Sequence, residues 1–228
     1  VSGMRQTQKA IEFYKKVIEL IPNETMARER LAGLYESEKR VTEAAEEYSR
    51  LADIYYENNA WEDCQEILRN IIAMNEDDLE SRKRLAEVLI RSGAKEEGIL
   101  EYQVVAGRLY STEDPAQMEE ALAIYKRIVS EDPDSPEFRM ELANIFMLLG
   151  RTAEAVEEFA GIAHTYERMP DRLRDGGINT EKWELLIDVY KQILELDPEH
   201  LEAKENIANA LMQLGTSDKA TEQFKHLA

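Results

Sequence analysis

The chain is short of most residues on which catalytic, metal-binding and disulfide-bonded folds depend. Its 228 residues include one cysteine, Cys64, so no intramolecular disulfide can form and nothing points to an oxidising compartment. Six prolines and ten glycines are too few for a loop-rich fold. The three histidines, His164, His200 and His226, never pair at helical spacing, and no cysteine stands beside them, which removes the usual zinc patterns. No apolar run approaches the roughly 18 residues of a membrane span, and no signal peptide is visible. No GxGxxG or GxxxxGK(S/T) loop occurs to cradle a nucleotide phosphate. The acidic clusters Glu76-Asp77-Asp78 and Glu131-Asp132-Pro133-Asp134 lack the glycine turn and distal Glu of an EF-hand and read as solvated turn carboxylates. Positive charge is scarce too. Against 47 Asp and Glu stand 28 Lys and Arg, a net charge of −19 that disfavours phosphate backbones and favours a basic partner. These absences exclude the common routes to an enzyme, a cofactor or metal protein, a nucleic-acid binder and a membrane-inserted chain. A cytoplasmic location is the default expectation.

What is present is a repeat. Tyr14 and Tyr48, Leu68 and Tyr102, Tyr125 and Phe159, and Tyr190 and Phe224 are each 34 residues apart. Four places earlier the same step joins mostly small residues: Ala10 and Ala44, Cys64 and Gly98, Ala121 and Ala155, Leu186 and Ala220. A fixed period of this length means stacked supersecondary units, none able to bury its apolar face alone. Such a chain escapes the usual count of one domain per roughly 150 residues, because its core grows in one dimension.

Apolar residues recur at three- and four-residue steps, which predicts helices. In the first, Ala10, Ile11, Phe13, Tyr14, Val17, Ile18 and Ile21 form a stripe wider than a surface helix needs, as for a helix packed on both flanks. Pro22, Pro133 and Pro198 stop three such helices, and Glu76 stands where the fourth proline would fall. Twelve helices are predicted, at about 7–20, 25–38, 41–58, 60–74, 79–92, 95–111, 115–131, 136–149, 152–168, 180–196, 201–214 and 217–227. Short connections make neighbours antiparallel, and Gly93, Gly150 and Gly215 suit left-handed helix ends.

The residues resemble the tetratricopeptide (TPR) repeat family. Leu31-Ala32 with Tyr35, Leu85-Ala86 with Leu89, Leu142-Ala143 with Phe146, and Ile207-Ala208 with Leu211 are similar to first helices of TPR units. Twelve residues after each alanine comes the small residue of a second helix, then an aromatic. Trp61 and Trp183 precede Cys64 and Leu186 by three residues, where the family often carries an aromatic. The 34-residue pairs are separated by 20, 23 and 31 residues, which breaks a simple tandem array. The helix around VTEAAEEYSRLADIYYENN explains the break. It matches a second helix through Ala44 and Tyr48 and a first helix through Leu51, Ala52 and Tyr55, so two repeats share it. Segments at Ala106 and Ala163 behave likewise. The expectation is one all-α domain over 1–228, a right-handed TPR-type solenoid of about twelve antiparallel helices. Its super-repeats lie at approximately 1–58, 60–111, 115–168 and 180–228. Since residue 7 falls inside a repeat, the chain is expected to be part of a longer protein.

Ala32, Ala86, Ala143 and Ala208 read as packing residues, and Cys64 as an inert core filler. The resemblance implies a concave groove lined by first helices. Its phase would put Met26, Glu29, Gly33 and Glu36 there, then Lys83, Glu87, Ile90 and Arg91. Met140, Asn144, Met147 and Leu148 follow, then Glu205, Asn209, Met212 and Gln213. Shared helices would add Asp53, Tyr56, Gln103, Gly107, Tyr110 and His164. The methionines with Leu148 suit an apolar or helical ligand, and the acidic first half suits basic residues. Chaperone-tail clamps of this family use a Lys and an Asn one turn apart in the first repeat. The positions here hold Glu29 with Gly33, Lys83 with Glu87, Met140 with Asn144 and Glu205 with Asn209, and none fits. The segment 169–179, MPDRLRDGGIN, is the longest non-repetitive stretch and is expected to be a tolerated insertion. The reading is a scaffold or adaptor without cofactor, metal or catalytic residues, binding a basic or amphipathic protein or peptide. The alternatives are a self-assembling homo-oligomer and a regulatory module attached to a catalytic or DNA-binding domain outside these residues.

Overall fold

Among the described residues, each amphipathic segment becomes a helix and ends at its predicted punctuation. The structure, a computed structural model, describes residues 2–111 and 114–215. Among the described residues there are eleven helices and no strands. They are α1 Ser2–Leu20, α2 Thr25–Ser37, α3 Val41–Glu57, α4 Trp61–Met74, α5 Leu79–Ser92 and α6 Lys95–Tyr110, then α7 Pro115–Glu131, α8 Pro136–Leu148, α9 Thr152–Glu167, α10 Thr180–Leu196 and α11 Leu201–Gln213. The architecture is an all-α helical-repeat solenoid. The predicted twelfth helix, 217–227, lies outside the described residues. Helix α1 begins at Ser2 rather than residue 7, because Met4, Arg5 and Gln6 extend it by helix propensity, ahead of the apolar stripe.

The chain divides into two compact units, Val1–Val105 and Ala106–Ala228. In the first, α1 through α5 pack each on the next in sequence, and in the second α7 through α11 do the same. Ala32, Ala86, Ala143 and Ala208 are fully buried, as close helix approach requires. Cys64 is buried as well. Its thiol donates to the Ala52 carbonyl at 3.4 Å, and burial pushes its pKa up to about 11, which keeps it unreactive at neutral pH. Helix α3 buries Ala44, Tyr48, Leu51, Ala52 and Ile54 along one wide stripe. In the second unit, Ile128, Leu142, Phe159, Ile162 and Ile193 fill the core.

Helix ends repeat as faithfully as helix faces. Gly93, Gly150 and Gly215 take left-handed φ angles of 94°, 70° and 73°, as the sequence predicts. Lys39 (φ 60°) and Asn59 (φ 55°) adopt the same turn without being glycine. Asn59 follows Ala52 by the interval at which Gly93 follows Ala86, so α3 ends like a first helix. Where Glu76 replaces proline, the Asn75 side chain accepts from the Asp77 amide at 3.2 Å, and Asp78 caps α5 by accepting from Ser81 N at 3.0 Å. Gly98 is required by contact, since a Cβ there would lie 2.7 Å from the Ala86 carbonyl oxygen.

The turns entering α2, α5 and α8 share a further device. Arg28 Nε donates to Pro22 O at 3.0 Å while its Nη1 meets Glu47 at 2.7 Å. Arg82 does the same with Glu76 O (3.2 Å) and Glu101 (3.1 Å). Arg139 repeats it with Pro133 O (2.9 Å) and Glu158 (2.7 Å). Each guanidinium ties a turn to the helix after next in the chain, using the planar fork that lysine lacks.

Segment 169–179 is anchored rather than slack. Asn179, buried, donates its side-chain amide to Pro170 O at 2.9 Å and caps α10 by accepting from Lys182 N. The buried Lys182 ammonium donates to Glu167 O (2.8 Å), Met169 O (2.7 Å) and Asp171 Oδ1 (2.6 Å). A small bridge between Arg172 and Ile178 closes the tip, leaving Leu173 and Ile178 exposed.

Candidate partner-binding faces

In the first unit the predicted face residues lie close together and engage one another. Tyr56 on α3 donates to Glu87 on α5 at 2.8 Å, and the same Glu87 oxygen accepts from Arg91 Nε and Nη2 at 3.0 and 2.8 Å. The Arg91 guanidinium also lies 5.2 Å from the Tyr56 ring centroid, and Trp61 meets that ring edge-on at 5.6 Å. Burial first, then the bond to Glu87, raises the Tyr56 pKa above its ordinary value. Asp53 pairs with Arg84, and Lys83 with Glu80 at 2.7 Å. Ile90 is half-buried against Gly98, where α6 approaches α5. Met26 and Glu29 are exposed, and Glu36 accepts from Tyr48 at 3.2 Å. Burial, with the Glu36 carboxylate beside it, pushes Tyr48 up to about 12.

The second unit has a different chemistry. Met140 on α8 lines a groove of about 400 Å³ with Tyr166 from α9 and Leu185, Val189, Gln192 and Glu195 from α10. Leu148 and Met212 are 58% and 50% exposed, Asn209 is exposed, and Asn144 and Met147 are half-buried. Tyr110 stands exposed on the last turn of α6, and His164 lies 3.7 Å from Glu167 on the surface of α9. The predicted residues are thus only partly gathered. Met140 enters a groove, while Leu148 sits two turns along the same helix and Met212 on α11.

First-helix phase could not reveal Tyr166, Leu185, Val189 and Gln192, because α10 reads as a second helix whose apolar residues face the core. The arginine ties did leave a signal. Arg28, Arg82 and Arg139 each stand four residues before a packing alanine, with Glu47, Glu101 and Glu158 nineteen residues further on. Among the described residues no group of three or more His, Cys, Asp or Glu is placed to hold a metal ion. None of the described helices is long and apolar enough to cross a membrane.

Two tetratricopeptide repeat family models match, over residues 116–168 and 2–24. No curated protein matches the chain. Among solved structures, the assembly chaperone of RpL4 (Acl4) is similar at 14% identity and TM-score 0.33, covering 96% of this chain and 95% of that one. A tetratricopeptide repeat protein from Parabacteroides merdae ATCC 43184 shares 15% identity at TM-score 0.27, covering 80% and 78%. YrrB, described as a TPR protein with an unusual peptide-binding site, shares 15% at TM-score 0.22, covering 93% and 89%. These are distant likenesses.

Proposed function

We propose that this tetratricopeptide-repeat protein is a protein–protein interaction scaffold that holds an amphipathic peptide or helix of a partner in the groove between Met140 of α8, Tyr166 of α9 and α10 in its second unit. The observation that supports this is the Met140 groove, where a thioether, Tyr166, Leu185 and Val189 border open space of about 400 Å³. Methionine adapts its shape to a ligand at little cost, so a groove of this composition favours apolar side chains presented on a helix. Asp188 at the same groove already pairs with Lys191 at 3.6 Å, and Glu195 would hold a basic residue beside the apolar anchor. The role requires no cofactor and no bond chemistry.

The test is capture of partners by the purified chain, compared with a Met140→Glu, Met147→Glu variant. A partner retained by the native chain should be lost from the variant, whose helical circular dichroism stays unchanged. One carboxylate forced into a desolvated apolar contact is expected to weaken binding by about a hundredfold or more. Equal retention by both proteins would remove this groove from the interface.

A further inference from the structure

Of the three shared helices, α6 alone carries exposed apolar side chains where the other two carry charged or polar positions. Helices α3, α6 and α9 align through Ala44, Tyr48 and Ala52, through Gly98, Tyr102 and Ala106, and through Ala155, Phe159 and Ala163, all buried. On the opposite side α3 presents Glu46 and Arg50, and α9 has Glu157 and Gly161. At the same two positions α6 has Leu100 and Val104, which are 61% and 43% exposed. The surroundings are alike in the three repeats, since the neighbouring Glu47, Glu101 and Glu158 all take the same arginine tie. Glu46, Arg50 and Glu157 are exposed, so this side faces water in α3 and α9. Stacking of repeats therefore neither covers the face nor explains a leucine and a valine one turn apart on it. Gly161 has an internal reason, because a Cβ there would lie 2.7 Å from the Arg139 guanidinium. Gly107, one turn beyond Val104, has none: a Cβ there would touch nothing within 4 Å. A glycine inside a helix is destabilising, and what it supplies is room for close approach.

The order of charge along this face says what fits it. Glu97, Leu100, Val104 and Arg108 follow one another at steps of three, four and four, so they share one side of α6. Glu97 and Arg108 are both exposed. Glu97 meets Arg69 at 3.6 Å with both side chains more than half exposed, a weak pair that leaves the carboxylate open to a second cation. The stripe reads acid, apolar, apolar, base. Turned end for end, it is its own complement. Its centre lies midway between Leu100 and Val104, with Glu97 five residues before that point and Arg108 six after it. A two-fold axis there sets each residue against its complement, as an isologous interface requires. A basic helix would suit Glu97 but repel Arg108, and an acidic one would do the reverse. A second copy suits both.

We propose that the exposed face of α6 pairs antiparallel with the same face of a second copy of this chain. Leu100 of each copy packs on Val104 of the other, and Glu97 of each meets Arg108 of the other. Gly107 lies opposite Glu97 of the second copy and gives its carboxylate room to reach the arginine. One pair of helices, each of 16 residues and about 24 Å long, makes a small contact. The dimer is therefore weak and reversible, with a Kd of about 10–100 µM. No residue of the Met140 groove takes part, so this pairing stands apart from the proposed partner site.

The test is sedimentation equilibrium of the 228-residue chain at about 5–300 µM, a range that brackets the expected Kd. A reversible monomer–dimer equilibrium is expected. Leu100→Glu should weaken it about tenfold or more, with helical circular dichroism retained. Glu97→Arg and Arg108→Glu should each weaken it as well, because each homodimer then sets like charges together twice. Mixed in equal amounts, these two variants should associate about threefold or more tightly than either does alone, since both cross pairs are restored. That recovery separates a specific pairing from mere stickiness of an exposed leucine. Absence of concentration-dependent association, or association indifferent to Leu100→Glu, overturns the proposal. A mixture no tighter than its components overturns the antiparallel pairing on which it rests.

Discussion

Two kinds of connection in this molecule are held by one buried or half-buried cation each, in different ways. The short turns into α2, α5 and α8 use arginine, which splits its fork between a turn carbonyl and a carboxylate on the helix after next. The long connection between α9 and α10 uses Lys182, whose three acceptors, Glu167 O, Met169 O and Asp171 Oδ1, all lie within or at the start of that connection. The arginine works between elements, so it depends on constant spacing and recurs wherever the spacing recurs. The lysine works within one segment, as a point charge around which a loop can wrap. An inserted segment with no counterpart in the other copies therefore carries its own anchor.

Removing that anchor is expected to give one of the largest effects. Lys182→Met keeps the stem's apolar contacts but leaves two main-chain carbonyls and Asp171 without their donor. Since the lysine's own desolvation is also relieved, the net loss should be about 2–3 kcal/mol. Amide exchange over 169–179 should accelerate far more than exchange in α7 or α8. If the whole second unit loosened evenly instead, the anchor would be part of the core rather than a local device.

The arginine ties should respond in order of burial. The side chains of Arg28 and Glu47 are 9% and 12% exposed, against 19% and 26% for Arg82 and Glu101. Arg28→Met is expected to cost about 2 kcal/mol, because it leaves a nearly buried carboxylate with only the exposed Arg50 at 3.4 Å, and Arg82→Met about 1–2 kcal/mol, since water reaches the remaining group. Denaturant titration of the two variants measures the difference. Equal costs would mean that the turn carbonyl, common to both, carries the effect and the glutamate little.

Much of this architecture is legible in the sequence because it rests on short-range rules. The boundaries of α5, α7 and α10 follow the predicted 79–92, 115–131 and 180–196 to the residue, since proline, Asp, Asn or glycine punctuates those ends. The packing alanines and the left-handed glycines are visible for the same reason. The start of α1 is not, because polar residues extend a helix without adding to its apolar period. Nor is the order within 169–179, where a Pro-, Gly- and Arg-rich string looks slack until Asn179 and Lys182 are seen reaching back to its carbonyls. The candidate faces sit between these cases. Phase places Tyr56, Glu87 and Arg91 on neighbouring surfaces, but only coordinates show that they already satisfy one another, whereas Met140 borders open space. The walls of that space, Tyr166 and Val189, come from α9 and α10, whose apolar stripes look the same whether they face a core or a groove.

The smallest expected effect would sharpen the comparison by construction. The fourth copy of the arginine position is Lys204, which among the described residues pairs with Glu199 alone, at 3.7 Å, and Glu199 is 90% exposed. An exposed pair of that kind contributes little. The turn ahead of α11 nevertheless presents Pro198, six residues before Lys204, just as Pro22 precedes Arg28 and Pro133 precedes Arg139. Lys204→Arg should therefore gain the carbonyl half of the tie, about 0.5–1 kcal/mol, raising the midpoint of thermal unfolding by roughly 1–3 °C. A gain of that size assigns independent value to the turn contact. No gain would mean that the fork stabilises a turn only when a glutamate on the next helix fixes its other end, making the paired spacing, rather than the arginine alone, the unit that repeats.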